Sequence, residues 1–161
     1  MSGVAVIRSL LAANSNVIAV VPAARILGGD LPLNTAMPAI SVTLISGMPH
    51  RTIGINETPQ MRADRVQVTI YRKAPPADDG YPGLDSLMTL VRSACPNVRG
   101  TYLGIEVDSI TPDLEGPDLP MPDLALFTRS MDFMVMNIPV PVDPAGVVLR
   151  EDGGLFLREA A

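Results

Sequence analysis

Residues Asp64 to Arg72 alternate between apolar and polar side chains, and this pattern constrains the fold more than any other stretch of the chain. Val66, Val68 and Ile70 fall on one side of an extended segment, and the residues between them are polar. Strict alternation with β-branched residues is typical of a β-strand that buries one face. The sequence therefore predicts a sheet with one face covered by other elements.

Three further segments repeat the alternation, and they predict three more strands: Ala39–Ile45, Leu103–Ile110 and Thr128–Met136. In the first of these we expect Leu44 to face inward, together with its neighbours two and four residues earlier. In the last, Phe133 is the largest apolar residue on the inward side. These strands supply the sheet side of the predicted core.

Apolar residues recur at spacings of three and four in two segments, which predicts amphipathic helices. The first covers Gly3–Ala13, and the second runs from about Gly83 to Cys95, where Pro96 ends it. A short helix over Val17–Val21 follows the first one. The order predicts an α+β fold with an about four-stranded, mostly antiparallel sheet and two main helices on one face.

Two long connections separate the predicted strands. Ser46–Ala63 holds two Pro, two Gly and the single His, and its arms are expected to extend the neighbouring strands as a projecting hairpin. Thr111–Ala125 holds four Pro, four acids and no basic residue, and we predict a loop there. A long connection inside a compact domain is commonly a functional loop.

The chain beyond Asn137 has a different composition. Pro alternates with apolar residues over 138–144, which favours an extended spacer, and Asp-Gly-Gly at 152–154 between two apolar runs is a hairpin signal. We therefore predict a body over 1–137 and an appendage over 138–161 that consists of a Pro-rich linker and a C-terminal hairpin or arm. Three placements of the hairpin stay open: on a partner, on its own sheet, or frayed.

Charge and composition exclude several classes of function. The net charge is −5 and no run of Lys or Arg occurs, so the basic stripe of a double-stranded nucleic acid binder is absent from the sequence. The single Cys95 excludes an intramolecular disulfide and fits a reducing compartment. No apolar stretch has the length of a membrane span, and Arg8 interrupts the apolar N-terminus, so we predict neither a signal peptide nor membrane association.

Catalytic and metal-binding patterns are sparse. His50 and Cys95 are the one candidate nucleophile pair, but Cys95 ends an apolar helix, and a buried core thiol is the simpler interpretation. Asp78-Asp79 and the acids of the second long loop lack the spacing of a calcium loop, so solvated acids are the simpler interpretation. We predict that the protein is not an enzyme and binds no cofactor or metal.

The order of these segments resembles that of phage tail terminator proteins, which are also called tail completion or tail-to-head joining proteins. The similar segments cover roughly residues 3–136 and are Val4–Leu11, Val17–Val21 with Arg25, Leu31–Leu44, Arg65–Tyr71, the second helix, and Arg129–Val135 with its central Met131-Asp132-Phe133. The appendage has no counterpart in this resemblance.

The resemblance implies a structural virion protein of the tail or neck that is assembled in the host cytoplasm. Members of the family form a ring, usually a hexamer, on the last ring of the tail tube, and they stop tube growth. The implied partners are copies of the protein itself, a tail tube protein, and a head–tail connector or stopper protein. DNA passes through the lumen of such a ring without specific binding.

The two long loops differ in charge, and this difference predicts a head-to-tail ring in which the more basic first loop meets the acidic second loop of a neighbour. Apolar residues of the first loop and of the appendage add contact area. The predicted interface residues are His50, Arg51, Ile53, Ile55, Arg62, Asp113, Glu115, Asp118, Leu149 and Phe156.

Two alternatives to a tail terminator stay open. One is another neck or tail protein, such as a head–tail stopper, an adaptor or a tube protein, and a tube protein would polymerise into long stacks. The other is a small cytoplasmic α+β binding module or enzyme. Such a protein needs a pocket with convergent polar groups, and the sequence shows no cluster that would supply one.

Overall fold

A computed structural model describes residues 3–50, 61–73, 81–97, 99–121, 124–138, 148–149 and 155–156. The helices are α1 (Gly3–Ala13), α2 (Ser15–Val20) and α3 (Tyr81–Ala94), and a 3-10 turn covers Ala23–Arg25. The strands are β1 (Ile26–Gly28), β2 (Ala39–Pro49), β3 (Arg62–Lys73), β4 (Gly100–Tyr102), β5 (Ile105–Glu115), β6 (Leu119–Met121), β7 (Leu126–Ile138), β8 (Val148–Leu149) and β9 (Leu155–Phe156). The predicted α+β class is confirmed.

The first seven strands form one mixed sheet in the order β1-β2-β3-β7-β5-β4, and β6 pairs with β7. β1 runs parallel to β2, whereas the other pairings of this sheet are antiparallel. The predicted number of about four strands is therefore wrong, because β1, β4 and β6 were missed. Each of these has three residues, which is too short for an alternating pattern to stand out from the surrounding sequence.

The two central strands β3 and β7 hold the sheet together along their whole length. Their register runs from Arg62 beside Asn137 to Lys73 beside Leu126. We call the first of these ends, where Pro49 also pairs with Arg62, the hairpin end of the sheet. The opposite end, where Met121 pairs with Leu126, is called the β6 end.

The arms of the first long connection are paired, as predicted. β2 continues to Pro49, β3 begins at Arg62, and the backbone N–H of His50 donates to the carbonyl of Met61 at 2.7 Å. The predicted hairpin is thereby confirmed for its arms. Residues 51–60 lie outside the described part of the chain.

The prediction of a loop over Thr111–Ala125 is wrong for most of its length. β5 continues to Glu115, and β6 pairs with the first residues of β7. Pro112 sits in β5 next to an irregularity in its pairing with β7, and its missing N–H does no harm there because no described strand lies on its outer side. The third predicted strand also begins later than expected, because Leu103 (φ 52°) and Gly104 (φ 76°) form a tight turn between β4 and β5.

Helices α1 and α3 pack on the face of the sheet that carries Val66, Val68 and Ile70. As predicted, Phe133 is fully buried in this core, where Leu87 and Val91 of α3 are also buried. Leu44 was predicted to face inward but is exposed. β1 ends beside Val42, and the pairing of β2 with β3 shifts after Leu44, so this residue lies beyond the covered part of the strand.

One local prediction concerns the side chain of Cys95. Cys95 is a buried core thiol, as the simpler interpretation held, and burial raises its pKa to about 12, which keeps it protonated near neutral pH. Asn14 caps α2 by accepting hydrogen bonds from the backbone of Asn16 (3.0 Å) and Val17 (3.2 Å).

Within the described residues, no helix combines the length and the apolar character that crossing a bilayer requires.

Candidate interface surfaces

The basic residues of the first long connection lie at the hairpin end of the sheet. His50 directly follows β2, and Arg62 begins β3 with a half-exposed side chain. Arg62 is not a free cation, because its Nε lies 2.5 Å from Oδ1 of Asp64. The other predicted interface residues of this loop, Arg51, Ile53 and Ile55, lie outside the described residues.

Asp64 is a fully buried carboxylate that the sequence reading did not single out. It accepts hydrogen bonds from the backbone N–H of Gly3 at 2.8 Å and from Nδ2 of Asn137 at 3.2 Å, in addition to the pair with Arg62. It therefore joins the first residue of α1 to β3 and β7. The sequence feature that could have indicated its burial was its position. Asp64 lies two residues before Val66 and therefore on the inward-facing side of the strand.

Three acidic residues of the second predicted loop lie between the middle of the sheet and the β6 end. Asp113 and Glu115 belong to β5, and Asp118 precedes β6. All three form ion pairs within the chain: Asp113 with Arg65 at 3.6 Å, Glu115 with Arg92 at 2.5 Å, and Asp118 with Arg129 at 2.5 Å. These carboxylates are therefore partly neutralised before any partner arrives.

Arg129 lies at the centre of three carboxylates, Asp85, Glu115 and Asp118, which we call the acidic cluster. Sequence analysis did not predict this role. Its side chain is only 13% exposed and donates to both carboxylate oxygens of Asp118, at 2.5 and 2.8 Å, and to Asp85 of α3 at 2.6 Å. A weaker contact reaches Glu115 at 3.4 Å. The hydrogen bond from Arg129 lowers the pKa of Asp118, and the same bond raises the pKa of Arg129. Arg129 pairs with Ile70, which faces the helices, so Arg129 lies on the same side of the sheet. A basic residue at an inward-facing position of the strand was therefore the sequence feature that could have indicated its role.

A second ionic cluster lies on the face of the sheet opposite the helices. Asp132 is almost completely buried and accepts from Nη2 of Arg65 at 2.7 Å, from Nε of Arg65 at 2.8 Å and from Nε2 of Gln67 at 3.0 Å. Arg65, which follows the first long connection, also contacts Asp113, a predicted interface acid of the second one. The ion pairs of Arg62, Glu115 and Asp118 are with other residues, and none of them joins the two long connections.

The register of the sheet gives the separation of the two ends. Arg62 pairs with Asn137 and Glu115 pairs with Met131, so the two positions are six residues apart along β7. At about 3.3 Å per residue this is about 20 Å. Arg62 and Glu115 therefore cannot reach each other within one chain.

The outer margins of the sheet carry exposed apolar side chains. On β2, Ile45 is 50% exposed and Met48 is 64% exposed. On the other side of the sheet, Leu114 is 58% exposed, and Leu119 and Leu124 are similarly open to solvent. These residues were not predicted as interface residues, because their exposure depends on which strand ends beside them.

The hairpin signal in the appendage coincides with paired strands. Leu149, a predicted interface residue, pairs with Leu155, and Val148 pairs with Phe156, the other predicted interface residue of this segment. The pairing is antiparallel, as the predicted hairpin requires, and residues 150–154 between the two strands lie outside the described part of the chain.

One open groove of about 470 Å³ lies where α2, β3 and α3 meet. Its lining is mostly apolar and consists of Val20, Pro38, Arg72, Gly83, Ser86, Leu87 and Leu90. Nη1 of Arg72 is buried there and has no hydrogen-bond partner in the described part of the chain. Among the described residues, no group of three or more His, Cys, Asp or Glu side chains is placed to hold a metal ion.

No family model and no curated protein matches the chain. Among solved structures, the chain is similar to one from the virion of a native gene transfer agent (GTA) particle, with a TM-score of 0.62 and 10% identity over 83% of this chain and 92% of that one. It is also similar to a solved protein that carries no functional name, with a TM-score of 0.55 and 15% identity over 88% of this chain and 99% of that one. At these identities the likeness shows the fold, and this fold therefore occurs in a virion particle.

Proposed function

We propose that this protein is a structural component of a phage-like virion and, more specifically, a tail terminator. In this role it caps the tail tube as a ring and joins the tail to the head connector. The observation that carries the proposal is the likeness of its fold to a chain of the GTA particle, which spans 92% of that chain. The order of its sequence segments, which resembles that of tail terminators, supports the finer assignment independently.

The partners follow from this role. They are further copies of the protein in a closed ring, most simply of six subunits, a tail tube protein on one face, and a head–tail connector or stopper protein on the other. The protein belongs to the tail or neck of the virion and is assembled in the host cytoplasm. Its residues act by surface complementarity, and no catalytic step or cofactor is part of the proposal.

A head-to-tail contact suits the two ends of the sheet. His50 and Arg62 lie at the hairpin end, and the acidic cluster lies about 20 Å away towards the β6 end. A heterologous interface brings two such different patches together and closes into a ring. Because Arg92 and Arg129 already neutralise most of the acidic cluster, we assign the larger part of the association energy to the exposed apolar residues of both margins.

The net charge of −5 suits a ring that lets DNA pass. DNA is held mainly through contacts between Lys or Arg and its phosphates, and each such contact releases counterions. In the described residues near the acidic cluster, the arginines are engaged by carboxylates of the same chain. We therefore propose that DNA passes through the lumen of the ring without specific binding.

Electron microscopy and analytical ultracentrifugation of the purified protein, alone and mixed with tail tubes, test the proposal. A terminator forms closed rings, binds one end of a tube and stops further growth. Long stacks would identify a tube protein, and binding to the connector without binding to the tube would identify a stopper or adaptor. A mass that stays monomeric even with tubes present would contradict the ring.

A further inference from the structure

β2 presents an outer edge from Thr43 to Met48, which no described strand covers and which we call the β2 edge. β1 covers β2 only as far as Val42, whose carbonyl accepts the N–H of Gly29 at 2.9 Å. Gly29 has a φ of +84°, a conformation that favours glycine, and the chain leaves the sheet there. No described strand lies beside β2 beyond this point.

The β2 edge lacks the charged residues and prolines that usually discourage strand addition, although its pairing with β3 shifts between Leu44 and Ser46. Its six residues, Thr-Leu-Ile-Ser-Gly-Met, contain no charge and no proline. Ile45 and Met48 are at least half exposed. Native proteins normally protect an exposed edge with Lys, with Pro or with a covering segment, because an unpaired edge binds another extended chain. The β2 edge therefore fits a partner strand that contributes apolar side chains and no charge.

The β8–β9 hairpin, in turn, needs a further strand beside it to be stable. Only two residues of each strand are paired, and a two-stranded hairpin of this size is not stable alone in water. Its two strands lie in the uncharged runs Val147–Leu149 and Leu155–Leu157. Adding one of them to the edge of a larger sheet satisfies its backbone groups and buries apolar surface without burying a charge.

The sequence of the spacer, residues 139–147, which lie outside the described part of the chain, favours a neighbouring copy over the same chain. β7 ends at Ile138, at the hairpin end, two strands away from β2 and thus about 10 Å from it. The spacer has nine residues, among them Pro139, Pro141 and Pro144, and in the extended conformation that Pro favours, with a rise of about 3.1 Å, nine residues would span about 28 Å. That reach exceeds the distance to the β2 edge of the same sheet and is long enough to bring the hairpin to a neighbouring copy.

We infer that the β8–β9 hairpin of one copy adds to the β2 edge of a neighbouring copy and extends its sheet. The two surfaces are different parts of the chain, so the contact is heterologous and links copies in one direction. This inference requires self-association, but it does not depend on the role at the end of a tail tube.

Disulfide trapping with full-length chains tests the inference. One set of chains carries Ile45→Cys or Met48→Cys, the other carries Leu149→Cys or Leu155→Cys, and the four pairings are mixed and oxidised. The natural thiol of Cys95 interferes little, because it is buried and its pKa is raised to about 12. Circular dichroism first verifies that each variant is folded. We expect a disulfide between the two kinds of chain in at least one pairing.

The same cysteines combined in one chain, oxidised at high dilution, decide which copy supplies the hairpin. A disulfide within the diluted chain would overturn the inference in favour of a hairpin folded on its own sheet. The absence of any disulfide in all four pairings would overturn strand addition itself. A chain that forms the interchain disulfide but does not bind tail tubes would overturn the proposed function and leave the inference standing.

A charge placed on the β2 edge is the matched perturbation. Thr43→Lys, combined with the cysteine pairing that reacts best, is expected to lower the rate of interchain disulfide formation about tenfold. Thr89→Lys is the control, since it makes the same change at an exposed position of α3, away from both sheet margins. Equal losses in the two variants would contradict a contact at the β2 edge.

Discussion

The two outer margins of the same sheet are built differently. The β2 edge has no charge and no proline, whereas the segment Ser109–Glu115 of β5, which we call the β5 edge, contains Pro112 and two acids. The side chain of Asn97 also takes up the N–H of Ile110 at 3.3 Å. The β5 edge is thus closed to strand addition by residues of its own chain, and the β2 edge is open. A subunit with one open and one closed edge associates in one direction.

The closed edge is still an apolar surface. Leu114, Leu119 and Leu124 are exposed around it. The ion pair between Arg129 and Asp118 fixes the segment that precedes β6. Contact through side chains does not require free backbone groups, so this margin suits packing against a partner surface. The two margins therefore differ in the kind of contact they offer. The β2 edge offers backbone groups for strand pairing, whereas the β5 edge offers only side chains.

The largest expected effect on stability comes from a substitution in the core that both margins share. Phe133→Ala deletes the biggest side chain of the shared core on β7 and is expected to lower the free energy of unfolding by about 3–5 kcal/mol. Urea denaturation measures the change, and Leu114→Ala serves as the exposed control. A loss below about 1 kcal/mol would mean that Phe133 is not in the packed core.

Arg129→Met is expected to loosen the closed side alone. It leaves Asp118 and Glu115 with fewer partners and releases α3 from β7 at Asp85, for a loss of about 2 kcal/mol in unfolding free energy. Disulfide formation at the β2 edge should be unchanged. A matching loss of that reaction would show that the two margins are coupled.

The pH dependence of this variant has a defined sign. Arg129 lowers the pKa of Asp118 in the folded state, so this stabilisation is complete above the ordinary carboxyl pKa of about 4 and is lost as the pH falls through the lowered value. The difference in unfolding free energy between wild type and Arg129→Met should therefore shrink at acid pH. A difference that stays constant from pH 7 to pH 2 would exclude this ion pair as its source.

Shortening the first long connection tests the hairpin end, beside the open edge. Replacing residues 51–60 by Asn-Gly should change the unfolding free energy by less than about 1 kcal/mol, because loop-closure entropy varies slowly with length. Under the proposed function it should abolish attachment to tail tubes, which pelleting with tubes measures. If the shortened chain unfolds, the loop belongs to the core.

The smallest expected effect on stability comes from ending the chain after Ile138. This truncation leaves both margins intact and removes the proposed occupant of the β2 edge, so the unfolding free energy should stay within about 0.5 kcal/mol of wild type. Sedimentation should then show weaker self-association, because the contact made by the hairpin is lost while the margins remain. A truncated chain that assembles like the full-length protein would show that the appendage does not link the copies.

Sequence alone determined the parts of this protein that local periodicity reports. The bounds of α1, the inward faces of β3 and β7, the buried thiol of Cys95 and the hairpin in the appendage all follow from the spacing of apolar and turn residues. These features depend on residues within one or two turns or strands of each other, and their chemistry is therefore visible in a short stretch of sequence.

Tertiary structure alone decided where the margins lie and which charges are occupied. Leu44 is exposed because β1 ends beside Val42, and Arg129 became the centre of a cluster because β7 faces α3 and the segment before β6. Whether a strand is central or at an edge depends on neighbours that are distant in sequence, and no alternation within the strand itself records them. The open β2 edge and the closed β5 edge are for this reason properties of the folded sheet.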